Sequence, residues 1–253
     1  TNNHGDIAMR RGLVCIFLIS LSAIMLEVAL TRIISVMMWY HFSYLVISMA
    51  LLGFGIAGSR LAVSINRGAN ITVSAIANYA LWFSLAALIC PLVAGQIRLF
   101  NPLELYTHPY LVIFFGLYYV LLLLPFYFAG MALVMALQFF RSSFNRVYAA
   151  DLLGAGAGCI LVVCFLSLVS APGALVLIAM LALSASFVIG GKQFRGWGVL
   201  RWVWLVLLVA ALGFIEGYAP TLIKAPQIKA INQLTFDRQP EFTKWNALCR
   251  VDV

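Results

Sequence analysis

Seven apolar runs, each long enough to cross a lipid bilayer, constrain this chain more than any other feature. They cover residues 13–37, 41–59, 71–97, 109–140, 147–170, 173–189 and 199–218. A transmembrane helix needs about 20 mostly apolar residues. Only 9% of the residues are charged, whereas a soluble domain carries about a quarter. The sequence therefore predicts an all-α integral membrane protein, a polytopic bundle of about seven transmembrane helices.

The fourth run is longer than one straight span requires, and Pro125 lies near its middle. Proline removes one backbone hydrogen bond and crowds the preceding turn of a helix. We expect a kinked or tilted helix here, with a re-entrant segment as the alternative.

Basic residues are divided unevenly between the two ends of the predicted spans. With a cytoplasmic N-terminus, only Arg32 and Arg98 lie at the outer ends of the first six spans. Because lysine and arginine flank spans on the cytoplasmic side, this orientation is preferred, and the net charge of +8 does not indicate nucleic-acid binding. The inner side then holds Arg10, Arg11, Arg60, Arg67, Arg141, Arg146, Lys192, Arg195 and Arg201.

Three segments are expected along the chain. Residues 1–12 form a cytoplasmic N-terminal segment, and residues 13–218 form the transmembrane domain, whose first span is too long for the core of a signal peptide. Residues 219–253 are polar and end in a strand-like alternation. They look like a linker and the start of a soluble domain that lies beyond this chain. An odd number of spans would place this tail on the side opposite the N-terminus.

A glycine-rich stretch, "LLGFGIAGSR" at residues 51–60, contains the pattern G-x-G-x-x-G. A dinucleotide site needs that pattern after a buried strand, with an acid about 20 residues later. Neither condition is met, since no Asp or Glu lies between Glu27 and Glu104. Close helix packing is the better interpretation, because small residues let helix backbones approach each other in lipid. The candidate packing residues are Gly53, Gly55, Gly58, Gly154 and Gly158.

The second and fifth spans also resemble each other. "LLGFGIAG" in one and "LLGAGAG" in the other run in opposite directions in the predicted topology. A 3+3 inverted repeat would produce this echo, and a chance recurrence of a short glycine-rich string is the alternative.

Glu27 is an acid some 14 residues into the first span, roughly 20 Å from its inner end. Such a carboxyl group must be protonated, paired or in contact with water. Arg32, Trp39, Tyr40 and His41 follow toward the outer turn. These five residues are candidates for a ligand or proton site, and an interhelical hydrogen bond is the alternative role for Glu27.

Asp151 is an acid near the start of the fifth apolar run. It is a further site candidate, although an acid in the first turns of a helix also complements the helix dipole. The five cysteines have no metal-ligand spacing, and a metal site built from His41, Glu104 and His108 lacks any spacing signature. We therefore predict no catalytic residue, no metal site and no cofactor in this chain.

The chain resembles the membrane portion of bacterial membrane-bound spermidine synthase-like proteins, also described as fused transporter-like and spermidine synthase proteins. The likeness covers residues 26–253 and rests on "LEVALTRIISVMMWYHFSYLVISMALLGFGIAGS", "PFYFAGMALVMAL", "RVYAADLLGAGAGC" and "WNALCRVDV". It implies the bacterial inner membrane, polyamine chemistry and a following aminopropyltransferase-type domain with a Rossmann-like core. The tail has no glycine-rich turn, so no catalytic residue carries over. A cytoplasmic synthase domain would also conflict with an odd span count.

Three functions remain open at this point. The chain is a membrane domain that anchors a soluble domain or offers it a small-ligand site, or a small-molecule or proton carrier that uses Glu27, Arg32 and His41. The third alternative is a structural or accessory subunit of a larger membrane complex. The expected partners are the lipid bilayer and other membrane subunits or further copies of the chain.

Overall fold

The computed structural model describes residues 3–37, 43–96, 111–190, 198–222, 243–245 and 250–252. The described residues form seven α-helices, one 3₁₀ turn and one short hairpin with short connections between them, which agrees with the predicted helical bundle. The helices are α1 (Asn3–Met37), α2 (Tyr44–Asn66), α3 (Val73–Gln96), α4 (Leu111–Phe139), α5 (Phe144–Leu168), α6 (Ala171–Gly190) and α7 (Gly198–Leu222).

Six helices, α1 to α6, are long and apolar enough to cross a membrane. In α7 the apolar portion is the shorter segment Gly198–Ala211. By this measure the described part of the chain holds one span fewer than the seven expected from the sequence.

α4 is a single helix through Pro125, so the re-entrant alternative is wrong. It is followed by a 3₁₀ turn at Arg141–Ser143 that leads directly into α5. In the tail, β1 (Thr243–Trp245) and β2 (Arg250–Asp252) pair antiparallel.

The connection between α2 and α3 is short because glycine ends α2. Gly68 adopts a positive φ of 82°, which a residue without a Cβ reaches at no steric cost. Its N–H donates to the carbonyl of Ile65 at 2.9 Å, as in other glycine-terminated helices. The Thr72 hydroxyl then accepts the N–H of Ala75 at 3.2 Å and caps the start of α3.

α6 lies at the centre of the bundle, and most of its residues are buried. It packs against α1, α3 and α7. α5 packs mainly on α1, and α2 packs mainly on α4, which also contacts α3. Both outer helices therefore expose large apolar side chains: Leu51, Leu52, Leu152 and Leu153.

Candidate functional site

Glycine brings α5 into backbone contact with α1. A Cβ atom on Gly154 would collide with the carbonyl oxygen of Phe17, and one on Gly158 would lie 2.7 Å from that of Leu21. Real Cβ contacts are essentially never that short, so these positions require glycine unless a helix shifts. The two contacts are one helical turn apart on both helices, which shows that α1 and α5 run parallel.

α2 crosses α4 in the same manner. A Cβ atom on Gly53 would lie 2.8 Å from the Cβ of Phe126, and one on Gly130 would lie 2.9 Å from the Cβ of Ala57. Here glycine is supplied once by each helix. The contacts again advance together by one turn, so α2 and α4 are also parallel.

Gly55 and Gly58 do not take part in this packing. A Cβ atom on either would meet nothing within 4 Å, and Ser59, four residues after Gly55, is exposed. The prediction of close packing is therefore wrong at these two positions, because they face away from α4.

α3 and α6 are joined by two reciprocal hydrogen bonds. The Ser84 hydroxyl on α3 donates to the carbonyl of Ala179 on α6 at 2.6 Å. The Ser186 hydroxyl on α6 donates to the carbonyl of Ala77 on α3, also at 2.6 Å. All four residues are fully buried, and the order of the contacts makes the two helices antiparallel.

These residues recur at nearly constant spacing. Gly154 and Gly158 follow Gly53 and Ala57 by 101 positions, and Ser186 follows Ser84 by 102. The burial of α5 also repeats that of α2 at the spacing of 101, with matched buried pairs at Val46 and Val147, and at Leu61 and Val162.

The helix directions place almost all described helical arginines at one end of the bundle. There α1, α3, α5 and α7 begin, and α2, α4 and α6 end. We call this the arginine-rich end, and among the arginines of the described helices only Arg32 lies at the other end. Its members are Arg10, Arg11, Arg60, Arg67, Arg141, Arg146 and Arg201.

Glu27 lies in the half of α1 away from the arginine-rich end and is half-buried. The Thr31 hydroxyl donates to its backbone carbonyl at 2.7 Å, and Arg32 is exposed. Within the described ranges, neither an ion pair with Arg32 nor a hydrogen bond engages the Glu27 carboxyl group. Trp39, Tyr40 and His41 lie outside the described residues.

Asp151 is positioned by α1. Its carboxylate accepts a hydrogen bond from the hydroxyl of Ser20, at the level of the contact between Gly154 and Phe17. α5 begins at Phe144, so Asp151 lies two turns into the helix rather than in its first turn. Asp151 therefore links two helices, a role that the dipole interpretation did not include.

Two polar contacts at the arginine-rich end were not predicted from the sequence. Arg60 of α2 donates to the hydroxyl of Tyr127 of α4, and Nη2 of the buried Arg201 donates to Oδ1 of Asn78 at 3.1 Å. Arg60 was visible as a charge directly after an apolar run. Its partner was not, because Tyr127 is one of ten tyrosines.

No group of three His, Cys, Asp or Glu side chains in the described part of the chain is placed to hold a metal ion. Cys15 and Cys90 are buried, Cys159 and Cys164 are exposed, and all four are free thiols.

Comparison with protein-family models, curated proteins and solved structures found no match to this chain.

Proposed function

We propose that the chain is an integral membrane domain whose helices α1 to α6 cross the bilayer. Their length and composition support this proposal, as do the large apolar side chains that α2 and α5 expose. Basic residues favour the cytoplasmic side of a membrane. The arginine-rich end therefore faces the cytoplasm, which for a bacterial protein means the inner face of the inner membrane.

Helices α1–α3 and α4–α6 form two inverted halves in this proposal. A two-fold axis in the membrane plane would exchange the α1–α5 crossing with the α4–α2 crossing. It would also map the α3–α6 contact onto itself. Each hydrogen bond from α3 to α6 would then have an equivalent bond from α6 to α3. The two glycine-lined crossings and the reciprocal serine bonds are the arrangement expected from such an axis.

The function best supported is a membrane domain of the spermidine synthase-like kind that binds a small ligand or a proton at Glu27. The observation that carries it is the half-buried carboxyl group in α1 without a described partner. An acid in such an environment is costly and marks ion or substrate paths. Inverted halves are typical of carriers, in which one half moves against the other.

A second candidate is an anchor that holds an extramembrane domain at the membrane without moving any solute. The interface of α3 and α6 favours the anchor. Ala77 and Ala80 of α3 and Ala179 and Ala182 of α6 are fully buried, and such small side chains allow close packing of the two helices.

Reconstituted protein distinguishes the carrier from the anchor. Liposomes would be loaded with a pH-sensitive dye, and entry of labelled spermidine and of protons would be followed together. We expect wild-type protein to move at least one of them and Glu27→Gln to abolish that movement, since the amide cannot ionise. Asp6→Asn is the matched control, because Asp6 is an exposed acid near the start of the same helix.

Wild-type liposomes that move neither probe would contradict the carrier and leave the anchor. A tail-fused reporter that stays in the membrane fraction in both wild type and Glu27→Gln would support the anchor.

A further inference from the structure

Arg60 is held in a fixed position at the surface of the bundle. It is exposed on α2, its Nη1 donates to the Tyr127 hydroxyl, and its guanidinium carbon lies 5.8 Å from the centre of the Tyr127 ring. Tyr127 is only 9% exposed. One of the five guanidinium N–H donors is thus used, and no carboxylate of the described residues pairs with this charge.

Aromatic rings continue from this arginine toward α3. The ring of Phe128 lies 5.3 Å from that of Tyr127 and stacks at 6.2 Å on that of Trp82. Trp82 is 41% exposed. α4 packs against both α2 and α3, so the rings line the surface between those two helices.

The paired half lacks this feature. At the spacings that relate the two crossings, Arg60 corresponds to Leu161 and Tyr127 to Leu18. The crossing of α5 on α1 therefore packs without an arginine or a tyrosine at these positions. Packing does not require the Arg60–Tyr127 pair, and an inverted repeat would confine it to one side of the membrane.

Arg60 lies in the half of α2 next to the arginine-rich end. It precedes Asn66, the last residue of α2, by six residues, or about 9 Å along the axis. Exposed Ile56 and Val63 flank it on α2. A free phosphate ion would gain nothing from contact with these apolar side chains. A phospholipid carries acyl chains beside its phosphate and could contact both the arginine and the apolar side chains.

We propose that Arg60, fixed by Tyr127, binds the phosphate of an anionic phospholipid whose acyl chains lie along Trp82 and Phe128. This inference rests on the proposed membrane location and adds the class of lipid recognised on the cytoplasmic side. Basic sites between transmembrane helices on that side bind anionic headgroups in other membrane proteins.

Quenching of tryptophan fluorescence by brominated lipids measures this binding. The protein would be placed in phosphatidylcholine nanodiscs containing brominated phosphatidylglycerol or, separately, brominated phosphatidylcholine. The Trp82→Phe protein isolates the Trp82 signal from that of the other tryptophans. We expect phosphatidylglycerol to be preferred about fivefold, the ratio that one basic residue contributes at an anionic surface.

Arg60→Gln should reduce this preference to about one. Arg67→Gln removes another exposed arginine, directly after the last residue of α2, and should retain the preference. Tyr127→Phe keeps the charge but releases the guanidinium group, so the preference should fall there too.

Equal losses in Arg60→Gln and Arg67→Gln would mean diffuse attraction and overturn the site. Loss of the preference on adding inorganic phosphate would assign the site to free phosphate and overturn the lipid. Failure of wild type to enter nanodiscs contradicts the membrane location itself, while insertion without preference contradicts only the lipid site.

Discussion

Ser84 and Ser186 occupy equivalent places in the contact of α3 with α6, yet their surroundings differ. Ser84 also accepts the indole N–H of Trp204 from α7 at 2.9 Å. Among the described residues, Ser186 has one hydrogen-bond partner, the carbonyl of Ala77. α7 thus forms a hydrogen bond with one member of the matched serine pair, in addition to the contact of Arg201 with Asn78.

Replacing each serine by alanine separates these roles. Ser186→Ala should lower the free energy of unfolding by about 0.5–1 kcal/mol, the usual value of one hydrogen bond between helices in a membrane. Ser84→Ala should cost about 2 kcal/mol, because it also leaves the indole N–H of the half-buried Trp204 without its acceptor. Unfolding by sodium dodecyl sulfate in mixed micelles measures both. Equal losses would show that the Trp204 bond contributes nothing.

Polar residues in apolar runs could be picked from the sequence, but their contacts could not. Asp151 stands out as an acid among leucines and glycines, while Ser20, which donates to it, is one serine among many. A hydrogen bond between helices depends on how the two helices are rotated and shifted against each other. The spacing of 102 positions between Ser84 and Ser186 is a signal that the sequence does contain, since the glycine echo in α2 and α5 has nearly the same spacing.

α2 and α5 each bury one narrow stripe along an otherwise exposed helix. On α2 the stripe repeats about once per turn at Gly53, Ala57 and Leu61, and on α5 it passes through Gly154 and Gly158. Lipid solvates leucine as well as a protein interior does. Such a helix is therefore held by close backbone approach rather than by burial of large side chains.

Two alanine substitutions in α2 test this element-scale explanation. Gly53→Ala should lower the free energy of unfolding by about 1–3 kcal/mol, because the methyl group overlaps Phe126 and the backbone of Tyr127. Gly55→Ala, two residues away with open space around it, should be neutral or stabilise the helix by up to about 1 kcal/mol. The same titration in mixed micelles compares them. An equal loss in both variants would contradict a specific role for the contact between Gly53 and α4.

Helix number and glycine packing could be predicted because apolar length and small residues are visible along the chain. Which glycines form contacts could not, since that requires the rotation of α2 against α4. Gly55 and Gly58 share the sequence pattern but point elsewhere. Helix ends were also less predictable than helix centres. α2 continues to Asn66, beyond the predicted limit at residue 59. The predicted limit was the end of the apolar run, whereas the helix itself continues through the polar and basic residues that follow.

At the scale of the whole molecule, the two proposed halves share their packing but not their charges. The reciprocal serine bonds and glycine crossings have counterparts, whereas the Arg60–Tyr127 and Asp151–Ser20 contacts correspond to apolar pairs in the other half. A symmetric framework alone would insert equally well in either orientation. The arginine-rich end selects one of the two orientations, because basic residues prefer the cytoplasmic side.

Accessibility of single cysteines from the two sides of the membrane tests the inverted arrangement most directly. Cysteine would be introduced at one exposed position at a time, Ala69, Ser142 or Leu168, and probed with a membrane-impermeant maleimide in right-side-out and inside-out vesicles. The starting protein carries serine in place of Cys15, Cys90, Cys159, Cys164 and Cys249. Cysteines at positions 69 and 142 should react only in inside-out vesicles, and the cysteine at position 168 only in right-side-out vesicles. Reaction at positions 69 and 142 from opposite sides, or at all three from the same side, would contradict two inverted halves in a membrane.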